Sequence, residues 1–246
     1  MALTISTRRD DSGLGDAAFV APPLAGLVVY QLTLDPSLGP EERNDVLDGI
    51  AALGVTAIEL LPGAEPPEGP EKFVPAHIAV ERAFGGAAAL RTLVAEAHRH
   101  GLAVIVDVAY QKPSPLGSGG LDIAQESVRG VIVREALRWL RDVRVDGVRH
   151  DMGAYGDLID ASSVARPVGY QLIRELNAAI REELSHVVLI AVDAPGDGRV
   201  TSLDSSGALF HTQWDTAYVH AIKAALDGKG PMADVRDVIG SSFGDT

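Results

Sequence analysis

The 246-residue sequence has no cysteine, few aromatic residues (5%) and no cluster of lysines and arginines. The absence of cysteine excludes a disulfide scaffold, a thiol nucleophile and a cysteine-ligated zinc site. With 34 acidic against 21 basic residues, the formal net charge is −13, which argues against nucleic acid or an anionic membrane surface as a partner. No apolar stretch follows Arg8 and Arg9, so we expect no signal peptide. A soluble, cytoplasmic α/β protein is the class that these absences leave.

Apolar runs that predict buried strands alternate with segments whose apolar residues recur at helical spacing. Strands joined by crossover helices indicate a parallel sheet covered by helices. The chain therefore contains about six β/α units. The predicted strands are 26–32, 55–61, 102–110, 145–151, 187–193 and 208–214, and the predicted helices include 45–53, 87–100 and 216–226.

Polar side chains gather where the predicted strands end. In parallel α/β folds the ligand site forms at the carboxyl ends of the strands. A carboxylate that ends an apolar strand loses hydration unless it is paired, so several such residues together predict a polar cleft. They are Glu59, Asp107, Gln111, Lys112, Arg149, His150, Asp151 and Asp193.

Structural roles are open for some of these residues. Asp107 and Arg149 also fit an ion pair between neighbouring strands that serves stability alone. His150 also fits a side chain that faces the helices, because neighbours along a strand alternate between faces. Asp151 favours a functional role, since it directly follows Arg149 and His150 at a strand end.

Five stretches between residues 27 and 226 follow one another in the order in which a known family has its conserved segments. They are Leu-Val-Val-Tyr-Gln-Leu at 27–32, Gly-Val-Thr-Ala-Ile-Glu-Leu-Leu-Pro at 54–62, Ala-Val-Ile-Val-Asp-Val-Ala-Tyr at 103–110, Val-Asp-Gly-Val-Arg-His-Asp at 145–151, and Phe-His-Thr-Gln-Trp-Asp at 210–215. Together they resemble glycoside hydrolase family 13, the α-amylase family, in particular its trehalohydrolase and glucan-branching members.

The resemblance implies a (β/α) TIM-barrel-like fold, here reduced to about six β/α units. We expect an N-terminal arm (1–25), a barrel-like domain (26–227) and a polar tail (228–246). An open barrel exposes edge strands and apolar inner faces, so we also expect a second copy or another partner to cover the open edge.

The resemblance also implies roles for individual residues. Asp151 takes the position of the catalytic nucleophile of a retaining glycosidase, Arg149 keeps it ionised, and Asp107 organises the site. The aromatic face of Trp214 suits the apolar face of a sugar ring, although a core position at the barrel rim is the alternative. The predicted substrate-binding residues are Asp107, Gln111, Lys112, His150 and Trp214.

Three departures from the family pattern stand against ordinary hydrolysis. Val192 occupies the position of the general-acid glutamate, and its neighbour Asp193 is the nearest replacement. Gln111 and Lys112 stand where the family has asparagine and histidine. The family's fourth signature has no counterpart in the sequence.

We therefore expect a protein that acts on or binds an α-glucan or trehalose-type oligosaccharide, with retaining chemistry centred on Asp151 if it is active. One alternative is a non-catalytic protein that binds a sugar or another protein. A second alternative is a barrel with new chemistry that uses Lys112, His150 and Asp193. The predicted partner is a neutral oligosaccharide, and no cofactor or metal ion is expected.

Overall fold

The computed structural model describes residues 19–33, 37–61, 84–108, 123–151, 168–193, 200–204 and 207–231. Six parallel strands form one sheet in sequence order, as in part of a (β/α)-barrel. The strands are β1 (Val29–Leu32), β2 (Ala57–Leu60), β3 (Ala103–Val108), β4 (Gly147–Asp151), β5 (Val188–Asp193) and β6 (Thr212–Asp215). The predicted fold is therefore confirmed.

Among the described residues, five α-helices cover one face of this sheet or follow its last strand. They are α1 (Pro40–Ala52), α2 (Ala87–Arg99), α3 (Glu126–Val143), α4 (Val168–Glu183) and α5 (Thr216–Leu226). The described residues between β5 and β6 contain no α-helix. No helix in the described ranges is long and apolar enough to cross a membrane.

Two element boundaries differ from prediction for identifiable reasons. Helix α1 begins at Pro40 instead of residue 45, because proline suits the first helical position and Glu42 accepts a hydrogen bond from the Gly39 N–H at 2.8 Å. Strand β6 begins at Thr212 instead of residue 208, because Leu209 has a left-handed backbone with φ of 66°.

The two faces of the sheet bury different sets of residues. The face toward the helices carries large aliphatic side chains such as Ile58, Val104 and Leu189, which pack into the main core. The inner face has a smaller apolar cluster toward the amino ends of the strands. It is formed by Ala57, Ala103, Ile105 and Ile190. The N-terminal segment contributes Phe19 and Ala21 to this inner cluster.

The ends of the sheet carry exposed apolar side chains. On and beside β1, Val28 is 54% and Tyr30 is 40% exposed, and on α5, Val219 and Leu226 are 60% and 82% exposed. These surfaces are consistent with a covering partner, but that partner stays a prediction. The predicted domain boundaries also stay predictions, because most of 1–25 and of 228–246 lies outside the described residues.

A buried contact between Asp146 and His98 joins the sheet to helix α2. The Asp146 carboxylate lies 2.8 Å from Nε2 of His98 and accepts a hydrogen bond from the Val104 N–H at 2.8 Å. Phe19 stacks on the His98 ring with centroids 4.2 Å apart. One carboxylate therefore connects α2, β3 and the residue before β4, and the ring it holds supports the N-terminal segment.

Replacing this carboxylate should destabilise the protein. Asp146→Ala removes the acceptor of two buried hydrogen bonds, so we expect the free energy of unfolding to fall by about 1–3 kcal/mol. Urea denaturation measures the change. Glu183→Gln, which breaks the exposed Arg141–Glu183 pair, should change stability by less than about 0.5 kcal/mol. Equal effects of the two substitutions would contradict this assignment.

Candidate functional site

Arg149 on β4 is the centre of a polar cluster on the inner face of the sheet. Its Nη1 lies 2.9 Å from Oδ2 of Asp107 on β3 and 3.3 Å from Oε1 of Glu59 on β2. All three side chains are largely buried, and that of Glu59 is completely so. The structure therefore brings together three residues of the predicted polar cleft, Glu59, Asp107 and Arg149.

Strand register places these residues at successive levels along the strands. Glu59 is level with Gln31 of β1 and Ile105 of β3. Asp107 and Arg149 are paired one level higher, which is two residues nearer the carboxyl ends of the strands, so Glu59 is the deeper residue. Gln31 donates to Oε1 of Glu59 from Nε2 at 3.4 Å. Arg149 thus reaches below its own level to the deepest carboxylate of the cluster.

The environment of Glu59 makes its carboxyl group harder to ionise than that of an ordinary glutamate. Burial raises the pKa of the Glu59 carboxyl above its ordinary value, and this effect outweighs the opposing attraction to Arg149 and the hydrogen bond from Gln31. Asp107 adds a smaller repulsion in the same direction as burial. Oε2 of Glu59 has no hydrogen-bond partner among the described residues.

Trp214 on β6 lies against the same guanidinium of Arg149. The central guanidinium carbon of Arg149 is 5.0 Å from the centroid of the Trp214 ring, within the range of a cation–π contact. Trp214 is partly buried and packs beside the inner apolar cluster. The indole is therefore held at the cluster and retains some exposure for a ligand.

The positions expected to carry catalysis lie one level above Arg149. Asp151 is the last residue of β4, its Cα is paired with that of Val192 on β5, and Val192 is paired with Trp214. Asp193, the last residue of β5, is paired with Asp215. The side chains of Asp151 and Asp193 are not among those described. Gln111 and Lys112 lie outside the described residues altogether.

The structure corrects the expectation that His150 shares this cleft. His150 is fully buried on the opposite face of β4, where its ring makes an edge contact with Phe210 at 5.5 Å between centroids. It borders a small cavity between the sheet and helices α3 and α4, next to Trp139 and Leu176. The alternation of side chains along a strand explains the result, because Arg149 occupies the inner face.

The cluster also contains Gln31, which the predicted cleft omitted, and Glu59, which belonged to the predicted cleft but had no role assigned to it. Glu59 stands at a predicted strand end, but only the observed register shows that it contacts Arg149. Gln31 is the only polar residue of β1 apart from the phenol of Tyr30, and that pattern was the available signal. Within the described ranges, no group of three histidine or acidic side chains could hold a metal ion.

Comparisons with known proteins relate the chain to carbohydrate-active enzymes. It is 30% identical to malto-oligosyltrehalose trehalohydrolase of Arthrobacter ramosus over 87% of this chain and 41% of that protein. It is 27% identical to a 1,4-alpha-glucan branching enzyme of Mycobacterium sp. (strain KMS) over 87% of this chain and 34% of that protein. The chain thus spans about two fifths or less of the length of these relatives.

A solved structure supports the fold independently. The noncanonic maltogenic alpha-amylase AmyB from Thermotoga neapolitana aligns with a TM-score of 0.61 over 88% of this chain and 55% of that one, at 13% sequence identity. No protein-family model matches the chain.

The buried His150 should make stability sensitive to acid. Burial lowers its pKa to about 3 in the folded state, whereas an unfolded histidine titrates near 6.5. Below about pH 6.5 the unfolded chain binds a proton that the folded chain does not, so stability falls as the pH decreases toward 3, by up to about 1.4 kcal/mol per pH unit. His150→Phe should remove this share of the fall in urea denaturation between pH 7 and 4.

Phe210→Leu provides the matched control, because it removes the neighbouring ring without removing a titrating group. We expect it to lower stability by a similar amount at each pH. An unchanged acid dependence in His150→Phe would contradict the account of His150.

Proposed function

Because the chain is related to the α-amylase family, glycoside hydrolase family 13, we propose that it binds a neutral oligosaccharide of the α-glucan or trehalose type. The proposed binding surface is the inner face of the sheet around Arg149 and Trp214, toward the carboxyl ends of the strands, and is called the strand-end face below. The observation that carries the proposal is the cluster of Glu59, Asp107 and Arg149 beside the partly exposed indole of Trp214. Aromatic faces complement the apolar face of a pyranose, and the Asp107 carboxylate and the Arg149 guanidinium, which are 19% and 13% exposed, can hydrogen-bond its hydroxyls, whereas the fully buried Glu59 lies behind them.

The proposed ligand is uncharged for two reasons. The protein carries a formal net charge of −13, which repels an anionic sugar. The described cluster itself holds two carboxyl groups against one guanidinium, so it offers no surplus positive charge for a phosphate or a carboxylate. A neutral glucan requires none.

The proposed function is binding with little turnover. Retaining hydrolysis needs a carboxylate nucleophile and a protonated carboxyl roughly 5 Å apart across the glycosidic bond. In the proposed site Asp151 is the nucleophile, and Arg149, two residues before it, supplies the positive charge that favours its ionised form. The paired position on β5 is Val192, which cannot transfer a proton. General acid assistance typically contributes about 10²–10⁴-fold, so its loss leaves slow chemistry at most.

The flanking residues have supporting roles in the proposal. Gln111 and Lys112 follow β3 in sequence and would contact sugar hydroxyls beyond Asp107. Asp193 follows Val192 and is the nearest carboxyl group in the sequence that could donate a proton in place of the absent general acid. The alternative of new chemistry that uses His150 loses support, because His150 faces the helices. A cytoplasmic location stays a prediction from composition.

Removing the aromatic platform should weaken binding. Trp214→Ala deletes the face on which the sugar stacks, and we expect the affinity for maltoheptaose to fall about tenfold in isothermal titration calorimetry. Trp139→Phe is the control, since Trp139 is buried in the helix layer. Equal affinity in Trp214→Ala and Trp139→Phe would contradict the proposed platform.

Restoring the acid should separate binding from catalysis. In Val192→Glu we expect hydrolysis of maltoheptaose or of maltooligosyl trehalose to rise at least about tenfold over the unaltered protein, because a proton donor now stands opposite Asp151. The added substitution Asp151→Asn should abolish that gain while glucan binding persists. A turnover that Asp151→Asn leaves unchanged would contradict the role assigned to Asp151.

A further inference from the structure

The Glu59 carboxylate needs an explanation that folding does not supply. It is completely buried in β2, a strand whose other residues are Ala57, Ile58 and Leu60. Exchanging a buried ion pair for apolar side chains of similar size is often neutral or stabilising, so such a pair is weak evidence for a stabilising role. One of its oxygens also has no hydrogen-bond partner among the described residues.

Glu59 and Asp107 hold Arg149 differently. Both contact the same Nη1 atom, while Nε of Arg149 has no partner among the described residues. The Asp107 side chain is 19% exposed, so water and salt screen its attraction, whereas Glu59 is shielded from both. The deep carboxylate therefore draws the guanidinium into the barrel, and the shallower one shares it.

The same guanidinium also lies over the Trp214 ring. The contact at 5.0 Å joins a side chain of β4 to one of β6 across β5, which lies between them. A guanidinium that moves away from its observed position gives up this contact. The position of Arg149 therefore connects the buried carboxylate on β2 to the indole on β6.

We propose that Glu59 is a positioning residue, which holds the Arg149 guanidinium over Trp214 and thereby sets the orientation of the indole that receives the sugar. This inference deepens the proposed function and rests on it for the role of Trp214 in sugar binding. Glu59 touches no sugar itself, since it lies one level deeper than Arg149 and has no exposed surface.

The pH dependence of this arrangement follows from the groups that face Glu59. These are Gln31 from β1, Asp107 from β3 and Arg149 from β4. Because burial raises the pKa of Glu59, its protonation on acidification precedes that of an ordinary glutamate. Neutral Glu59 holds Arg149 less strongly, so the environment of Trp214 changes with this titration.

The two tryptophans of the chain make the proposal measurable. In a Trp139→Phe background Trp214 is the only indole, so its emission and its quenching by acrylamide report on this site alone. Glu59→Gln keeps the shape and removes the charge. Without any sugar, we expect it to raise the acrylamide quenching constant of Trp214 about twofold and to abolish the change of emission with pH. With maltoheptaose, we expect affinity to fall about two- to fivefold.

Ile58→Val is the matched control, since Ile58 directly precedes Glu59 on β2, carries no charge and packs on the helix side of the sheet. It should leave the quenching and the pH dependence of Trp214 unchanged.

Arg149→Lys independently tests whether Glu59 acts on Trp214 through Arg149. It should alter the Trp214 signal as Glu59→Gln does, and the double variant should show no added effect. If Glu59→Gln does not fold, Glu59→Asp, which retains the charge, should preserve the pH dependence of the emission, and its loss there would overturn the proposal.

The outcomes separate the two proposals. A Trp214 signal that is identical in the Trp139→Phe background and in the Glu59→Gln variant of that background overturns the positioning role even if glucan binds. Additive effects of Glu59→Gln and Arg149→Lys overturn it as well. A background protein that binds no glucan contradicts the proposed function, whereas the sugar-free quenching still decides whether Glu59 positions the indole.

Discussion

The Arg149 guanidinium is the constraint on which the polar part of the molecule depends. A buried cation on the inner face of the sheet must be neutralised, and two carboxylates on strands β2 and β3 lie 3.3 and 2.9 Å from one of its nitrogens. Because Glu59 is one level deeper than Asp107, the guanidinium contacts carboxylates at two levels of the sheet. The same guanidinium also contacts Trp214 on β6. The charge balance of the inner face thus determines the geometry of its aromatic surface.

The same strand shows how sharply the two faces of the sheet are divided. Arg149 points into the polar cluster, while His150, one residue later, is enclosed by apolar side chains of the helix layer. Its neighbour in the register, Ala191, belongs to the main apolar core. Polar residues in sequence proximity therefore serve different parts of the protein, one the candidate site and the other the stability of the barrel wall.

Much of the architecture could be predicted from the sequence, and the bounds of α5 at Thr216–Leu226 agree fully. Apolar runs and helical spacing report burial, which is why six strands could be predicted, whereas their barrel-like arrangement followed from the family resemblance. The contacts of Glu59 and Gln31 could not be predicted, since they depend on which levels of neighbouring strands align. The late start of β6 depends on the backbone of Leu209, for which no residue type gives a signal.

The proposed binding of a neutral glucan to the strand-end face beside Arg149 can be tested directly. The chain has two tryptophans, Trp214 at this face and Trp139 in the helix layer, so an NMR spectrum shows two indole N–H signals. Titration with maltoheptaose should shift the signal of Trp214 in a saturable way and leave that of Trp139 in place. A spectrum in which neither signal moves, or in which only that of Trp139 does, would contradict the proposal.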